Sequence, residues 1–266
     1  ITFASDGFSF TGTDGLNNSS SYSNVAWNWK ANGGTTSSNT DGSVTSTVQA
    51  NTTAGFSIVT WTETTANSQT IGHGLGATPA MIISKLTDDS ALDWYTFHQT
   101  LTKSNRISFN STSTRTSSSF WNGTLDNDVF HVGYGDSYDN KSAVAYCFAE
   151  VDGYSKFRGY TGNDATDGTF VYTGFSPAFV ILRYVSGSAG GTKNWVVYDN
   201  KRSSINPNDN TIYANASDAE TADSSFDIDL LSNGFKIRNA EGTVNNAAEY
   251  LYMAFAEQPF TYANAK

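Results

Sequence analysis

Ala143-Val144-Ala145-Tyr146-Cys147-Phe148-Ala149-Glu150 alternates large and small side chains. That period of two belongs to a β-strand rather than a helix. The alternation recurs at Val25, Trp27 and Trp29 and at Leu251, Met253 and Phe255. About 18 to 21 residues before each final aromatic stands a second motif: Asp6-Gly7-Phe8, Asp128-Val129-Phe130 and Asn233-Gly234-Phe235. The last two copies also share a front half. Pro79 to Ile83 matches Pro177 to Ile181, Trp94 to Phe97 matches Trp195 to Tyr198, and Ile107 to Asn110 matches Ile212 to Asn215. The repeat predicts an all-β chain of tandem antiparallel β-sandwich units, jelly-roll-like in type.

Residues 55–153 and 154–266 read as full units, the second with a short C-terminal tail. Residues 1–31 read as the back part of a unit, and 32–54 as a Gly/Ser/Thr/Asn linker with a possible edge strand. Trp27, Trp29, Trp94, Phe148, Trp195 and Phe255 are the expected core anchors. Val244 to Glu257 has helical propensity, but its repeat equivalents are aromatic and β-branched, so it is read as a strand. Because residues 1–31 lack a front half, Trp27 and Trp29 need cover. Upstream residues, a neighbouring subunit, or residues 40–60 folding back are the available suppliers.

A length of 266 residues is enough for a proper core. The single cysteine, Cys147, excludes an intrachain disulfide and is read as a small inward side chain. A formal charge of −10 and a pI near 4.6 argue against nucleic acid as partner. No run approaches the ~18 apolar residues of a membrane helix, so no membrane insertion is expected. Ile1 is not an initiator methionine and no signal-type sequence follows, so the chain reads as a processed product or fragment.

The sequence holds no GxSxG, HExxH, Walker-type or GxGxxG motif, and the expectation is that it is not an enzyme. His73, between glycines, reads as a turn residue. His98 ends a strand where its repeat partner is Asp199, and His131 is expected to point outward. Acids such as Asp136, Asp139, Asp227 and Asp229 are the raw material of a glycosidase pair, but their sequence proximity carries little weight among 25 acidic residues. The loop Tyr134, Asp136, Tyr138, Asp139 and Asn140 is the candidate glycan site, with tyrosines for stacking and carboxylates and amides for hydroxyls. It is also the candidate calcium site, with oxygen ligands but without EF-hand spacing. No other cofactor is expected. Trp121 is assigned to the core ahead of an exposed platform.

Several long motifs carry a resemblance: GFSIVTWT (55–62), TIGHGLGATPAMIISK (70–85), DWYTFH (93–98), VAYCFAEVDGYSKFRGYTGN (144–163), FVYTGFSPAFVILR (170–183), SNGFKIRN (232–239) and YMAFAE (252–257). With the connector NTDGSVTSTVQANTTAG (39–55), they resemble the repeated domain of unknown function in large structural proteins of marine tailed phages. Trp61-Thr62-Glu63 departs from the Tyr-Thr-Gly-like run typical there. The resemblance implies a virion protein, tail-fibre-like or capsid-decorating, at the particle surface. Its implied partners are other virion proteins or copies of itself, with host-surface polysaccharide as a further candidate. The alternative is a carbohydrate-binding or adhesion module of a secreted bacterial protein. The resemblance carries over no catalytic residue.

Overall fold

Alternating β-branched and aromatic residues build two successive sets of strands. The structure, a computed structural model, describes residues 2–4, 7–11, 23–135, 138–187 and 191–257. A hairpin of β1 (Thr2–Ala4) and β2 (Gly7–Ser9) precedes β3 (Ser37–Asn39) and β4 (Ser46–Asn51). The first unit follows as β5 (Phe56–Thr62), β6 (Gln69–Gly72), β7 (Met81–Leu86), β8 (Tyr95–His98), β9 (Asn105–Ser108), β10 (Thr116–Ser117), β11 (Val129–Val132) and β12 (Ser142–Phe148). The second comprises β13 (Ser155–Thr161), β14 (Phe170–Tyr172), β15 (Pro177–Gly187), β16 (Val196–Asp199), β17 (Asn210–Tyr213), β18 (Thr221–Ala222), β19 (Ile228–Leu231), β20 (Gly234–Ile237) and β21 (Ala248–Ala256). Val244 to Ala256 thus ends in a strand, not a helix.

The large sheet of the first unit runs β10-β9-β8-β7-β12-β5-β4-β3, and that of the second β18-β17-β16-β15-β21-β13. Without β3 and β4 the two orders are the same. Their ladders are antiparallel. A small sheet, β6-β11 in one unit and β14-β20-β19 in the other, covers one face of each large sheet. Matching side chains hold matching turns: Asn110 Oδ1 accepts from Trp94 N (2.9 Å), and Asn215 Oδ1 accepts from Trp195 N (2.7 Å).

Three large apolar cores result, beside a small cluster of Tyr184, Ala248 and Tyr250. Val59, Ile71, Phe97, Trp121, Phe130 and Ala145 fill the first sandwich, so Trp121 is a core residue. Val171, Val180, Tyr198, Phe235, Tyr252 and Ala254 fill the second. The third core lies between the units, where Met81, Ile83 and Phe148 meet Phe157, Phe179, Trp195, Met253 and Phe255. The small residues Ala143, Ala145 and Cys147 of β12 face their own sandwich, whereas bulky Tyr146 and Phe148 face the other unit. Along β21, Leu251, Met253 and Phe255 do the same. The anchors Phe148, Trp195 and Phe255 are therefore buried in the junction, with Trp94 half-buried beside them. A strand covered on both faces needs a near-continuous apolar run, which β12 carries from Ala143 to Phe148 and β21 from Tyr250 to Ala256.

The N-terminal region departs from the strand expectation. Val25 to Trp29 forms no strand; Trp27 and Trp29 lie half-buried against the junction. The Trp29 ring sits 5.4 Å from both Phe179 and Phe255, and Trp27 packs 5.6 Å from Phe179 while its Nε1 donates to Asp199 Oδ2 (3.3 Å). The alternation is satisfied by wedging into an existing apolar seam rather than by pairing. The cover for these tryptophans comes from the two full units. Residues 32–54, expected as a linker with a possible edge strand, add two strands, β3 and β4, to the first unit's large sheet.

Candidate binding loop

The loop between β11 and β12 leaves the first sandwich at its end, and its geometry is set from below by a buried acid. Glu63 is 2% exposed; its Oε1 accepts from Trp61 Nε1 (2.5 Å) and its Oε2 from Gln69 Nε2 (2.8 Å). Burial pushes the Glu63 carboxyl above its usual range, and these two donors only partly offset that. The Glu63 carbonyl accepts from Asn140 N (2.9 Å), which ties the loop to the hub. Gln69 Nε2 also reaches the carbonyls of Thr64 (3.3 Å) and Ala66 (3.0 Å), fixing the facing loop. The Trp61-Thr62-Glu63 departure from Tyr-Thr-Gly was the available signal for this hub. The second unit has Tyr160-Thr161-Gly162 there and uses buried Asn245 instead, whose Nδ2 donates to Asn163 Oδ1, Ala165 O and Asn239 O.

Of the five candidate residues, Tyr134 is not a stacking platform. It is buried, its hydroxyl lies 3.0 Å from Ser84 Oγ, and its ring packs 4.6 Å from Phe120 and 6.1 Å from Tyr95. Burial holds its phenol well above the usual range. An apolar body with one hydroxyl partner is satisfied inside the core, and the glycine-flanked backbone lets the ring turn inward. Tyr138 is half-buried 6.2 Å from Tyr134, the Asp139 carboxylate accepts from Asn140 Nδ2 (2.6 Å), and exposed Asn140 sits at φ 60°. Asp136 lies outside the described residues. Among the described residues, no three His, Cys, Asp or Glu side chains gather in a metal-holding group.

The histidines are structural fasteners. His73 Nδ1 accepts from Leu75 N (3.2 Å), so Nε2 carries the proton and donates to Asp126 O (3.2 Å). His98 repeats the device with Thr100 N (3.2 Å), and its Nε2 donates across the junction to Tyr252 O (3.1 Å). His131 is buried, not outward, because the segment 119–123 lies on that face. Its Nδ1 donates to Phe120 O (3.0 Å), and Nε2 accepts from Ser68 Oγ (2.9 Å). Burial lowers the pKa of all three, that of His98 to about 4. Of the other acids, Asp229 pairs with Arg238 Nε (3.1 Å), while burial and neighbouring acids raise Asp227.

No curated protein and no solved structure matches this chain. One family model, described as a domain of unknown function, DUF7483, matches residues 1–259. The match spans the N-terminal segment, both sandwiches and the junction between them. The chain therefore belongs to the DUF7483 family.

Proposed function

We propose that the chain is a non-catalytic structural protein of a tailed-phage particle, displayed at the surface as part of a fibre or a capsid decoration, with host-surface glycans as its contact. The observation that carries this reading is the junction: two like sandwiches joined back to back through an aromatic seam make a stiff building block. The polar machinery described above is spent on fixing loops, which suits a protein that acts through its surface. The phage-type motifs support the same reading. Antibodies against the purified chain, applied to intact particles in the electron microscope, should label one fixed position. Labelling absent from particles but present in the secreted bacterial fraction would contradict the proposal. A glycan array with the purified chain tests the contact separately, and a blank array would remove that clause.

A further inference from the structure

The two sandwiches differ at one matched edge. In the first unit, β6 pairs with β11 through Gln69, Ile71 and His73, so the backbone groups of Thr70 and Gly72 point to the open side. The chain's own segment 42–46 fills that side. Ser43 Oγ accepts from Thr70 N (2.9 Å), Val44 N donates to Thr70 O (3.2 Å), and Ser46 Oγ donates to Gly72 O (2.7 Å). Ser43 N adds a bond to Thr70 Oγ1 (2.9 Å), and Val44 forms a parallel bridge with Ile71. Val48, 3% exposed, then plugs the gap between the two sheets beside Gly74.

In the second unit the register places Phe170 and Tyr172 of β14 where Thr70 and Gly72 stand. Their backbone groups also point outward, because β14 bonds β20 through Thr169, Val171 and Thr173. No segment covers them among the described residues; Phe170 is 44% and Tyr172 64% exposed. Past the end of β14 an open cleft of about 230 Å³ is lined by Glu150, Asp152, Ser155, Lys156, Thr173 and Phe175. The neighbouring β13 edge is clipped at Phe157, whose N donates to Glu150 Oε1 (3.0 Å) and whose carbonyl accepts from Gln99 Nε2 (2.5 Å).

We infer that the β14 edge is a strand-docking site for an extended polypeptide segment of a partner chain, with small, hydroxyl and β-branched residues in the pattern of Gly42–Ser46. The molecule itself displays the occupant of the matched edge. Of the five polar bonds made there, all but one use only backbone atoms of the receiving strand, so β14 can make those unchanged. Only the bond to the Thr70 hydroxyl has no counterpart, since Phe170 lacks one. Phe170 and Tyr172 would flank the added strand as cross-strand neighbours. The inference does not depend on the virion reading.

The probe is a blocked synthetic peptide of residues 39–49 added to the full chain, with amide hydrogen exchange read by residue. Saturable slowing at Phe170 and Tyr172 is expected, while Val171, already paired with β20, stays unchanged. Phe170→Pro removes the outward N–H together with the flanking ring and should weaken binding at least about tenfold. Phe170→Thr restores the missing hydroxyl and should tighten it several-fold. Unslowed exchange at millimolar peptide overturns the inference. So does binding indifferent to both variants, or protection of these residues by oligosaccharides but not by peptide.

Discussion

His98 and Asp199 hold equivalent places in the two units, and each serves the junction differently. His98 crosses it directly to the Tyr252 carbonyl. Asp199 stays beside Arg202 (2.6 Å) and is reached by Trp27 of the N-terminal segment. His98 is fully buried and must be neutral to accept from Thr100 N, so the fold resists its protonation. With a pKa of about 4 against 6.5 unperturbed, the unfolded chain binds the extra proton between those values. The contribution is intact above pH 6.5 and is lost as the pH falls toward 4. Urea unfolding should show a loss on the order of 2 kcal/mol from His98 between about pH 7.5 and about pH 5. His73 and His131 shift in the same direction, and Glu63 and Asp227 oppose it. His98→Gln should therefore flatten the slope, and an unchanged slope would refute the assignment. Phe148 and Phe255, both 6% exposed with rings 6.3 Å apart, are the second residue-scale test. Truncating either to Ala should cost about 3–5 kcal/mol. The double variant should depart from additivity by at least about 0.5 kcal/mol, as measured by denaturant unfolding.

Among the elements, the connection from β3 to β4 shows how close approach fixes an edge. A Cβ on Gly42 would lie 2.2 Å from the Thr70 carbonyl oxygen and 2.9 Å from Ile71 Cα, both backbone atoms that cannot swing away. Gly42→Ala should thus lift residues 42–46 off β6 at a cost of about 1–3 kcal/mol. Amide exchange at Val44 should accelerate, while β12 stays protected. The strands themselves were legible, because alternation, turn residues and the internal repeat agree across β5 to β21. What alternation does not tell is which neighbour a face meets. The bulky sides of β12 and β21 read as sandwich core, and a strand buried on both faces gives no sign of which one is shared between units. The same limit misplaced Val25 to Trp29, whose period of two is met without a pairing partner. Glu63 was hidden as one of 25 acids, with only its departure from Tyr-Thr-Gly to mark it. Tyr134 looked like a loop aromatic because sequence does not show which way a glycine-flanked ring turns.

At the scale of the molecule, the edges of the large sheets are managed. β3 has three residues, β10 and β18 two each, and β13 is clipped at Phe157 by Gln99 and Glu150, a clip that Arg158 extends at 2.7 Å from Glu150. Short or clipped edges discourage unwanted pairing, and among the described residues β14 lacks the cover that its counterpart β6 has. The central claim is that the two sandwiches form one cooperative body, because Phe148, Phe157, Phe179, Trp195 and Phe255 belong to both. Unfolding either unit would expose the junction face of the other, so neither should open alone. Native-state hydrogen exchange, read at Phe130 in the first sandwich and Phe235 in the second, tests this most directly. The account predicts one shared opening free energy at both sites, falling together with added denaturant. Separate opening free energies, with one sandwich exchanging through its own transition while the other stays protected, would contradict it.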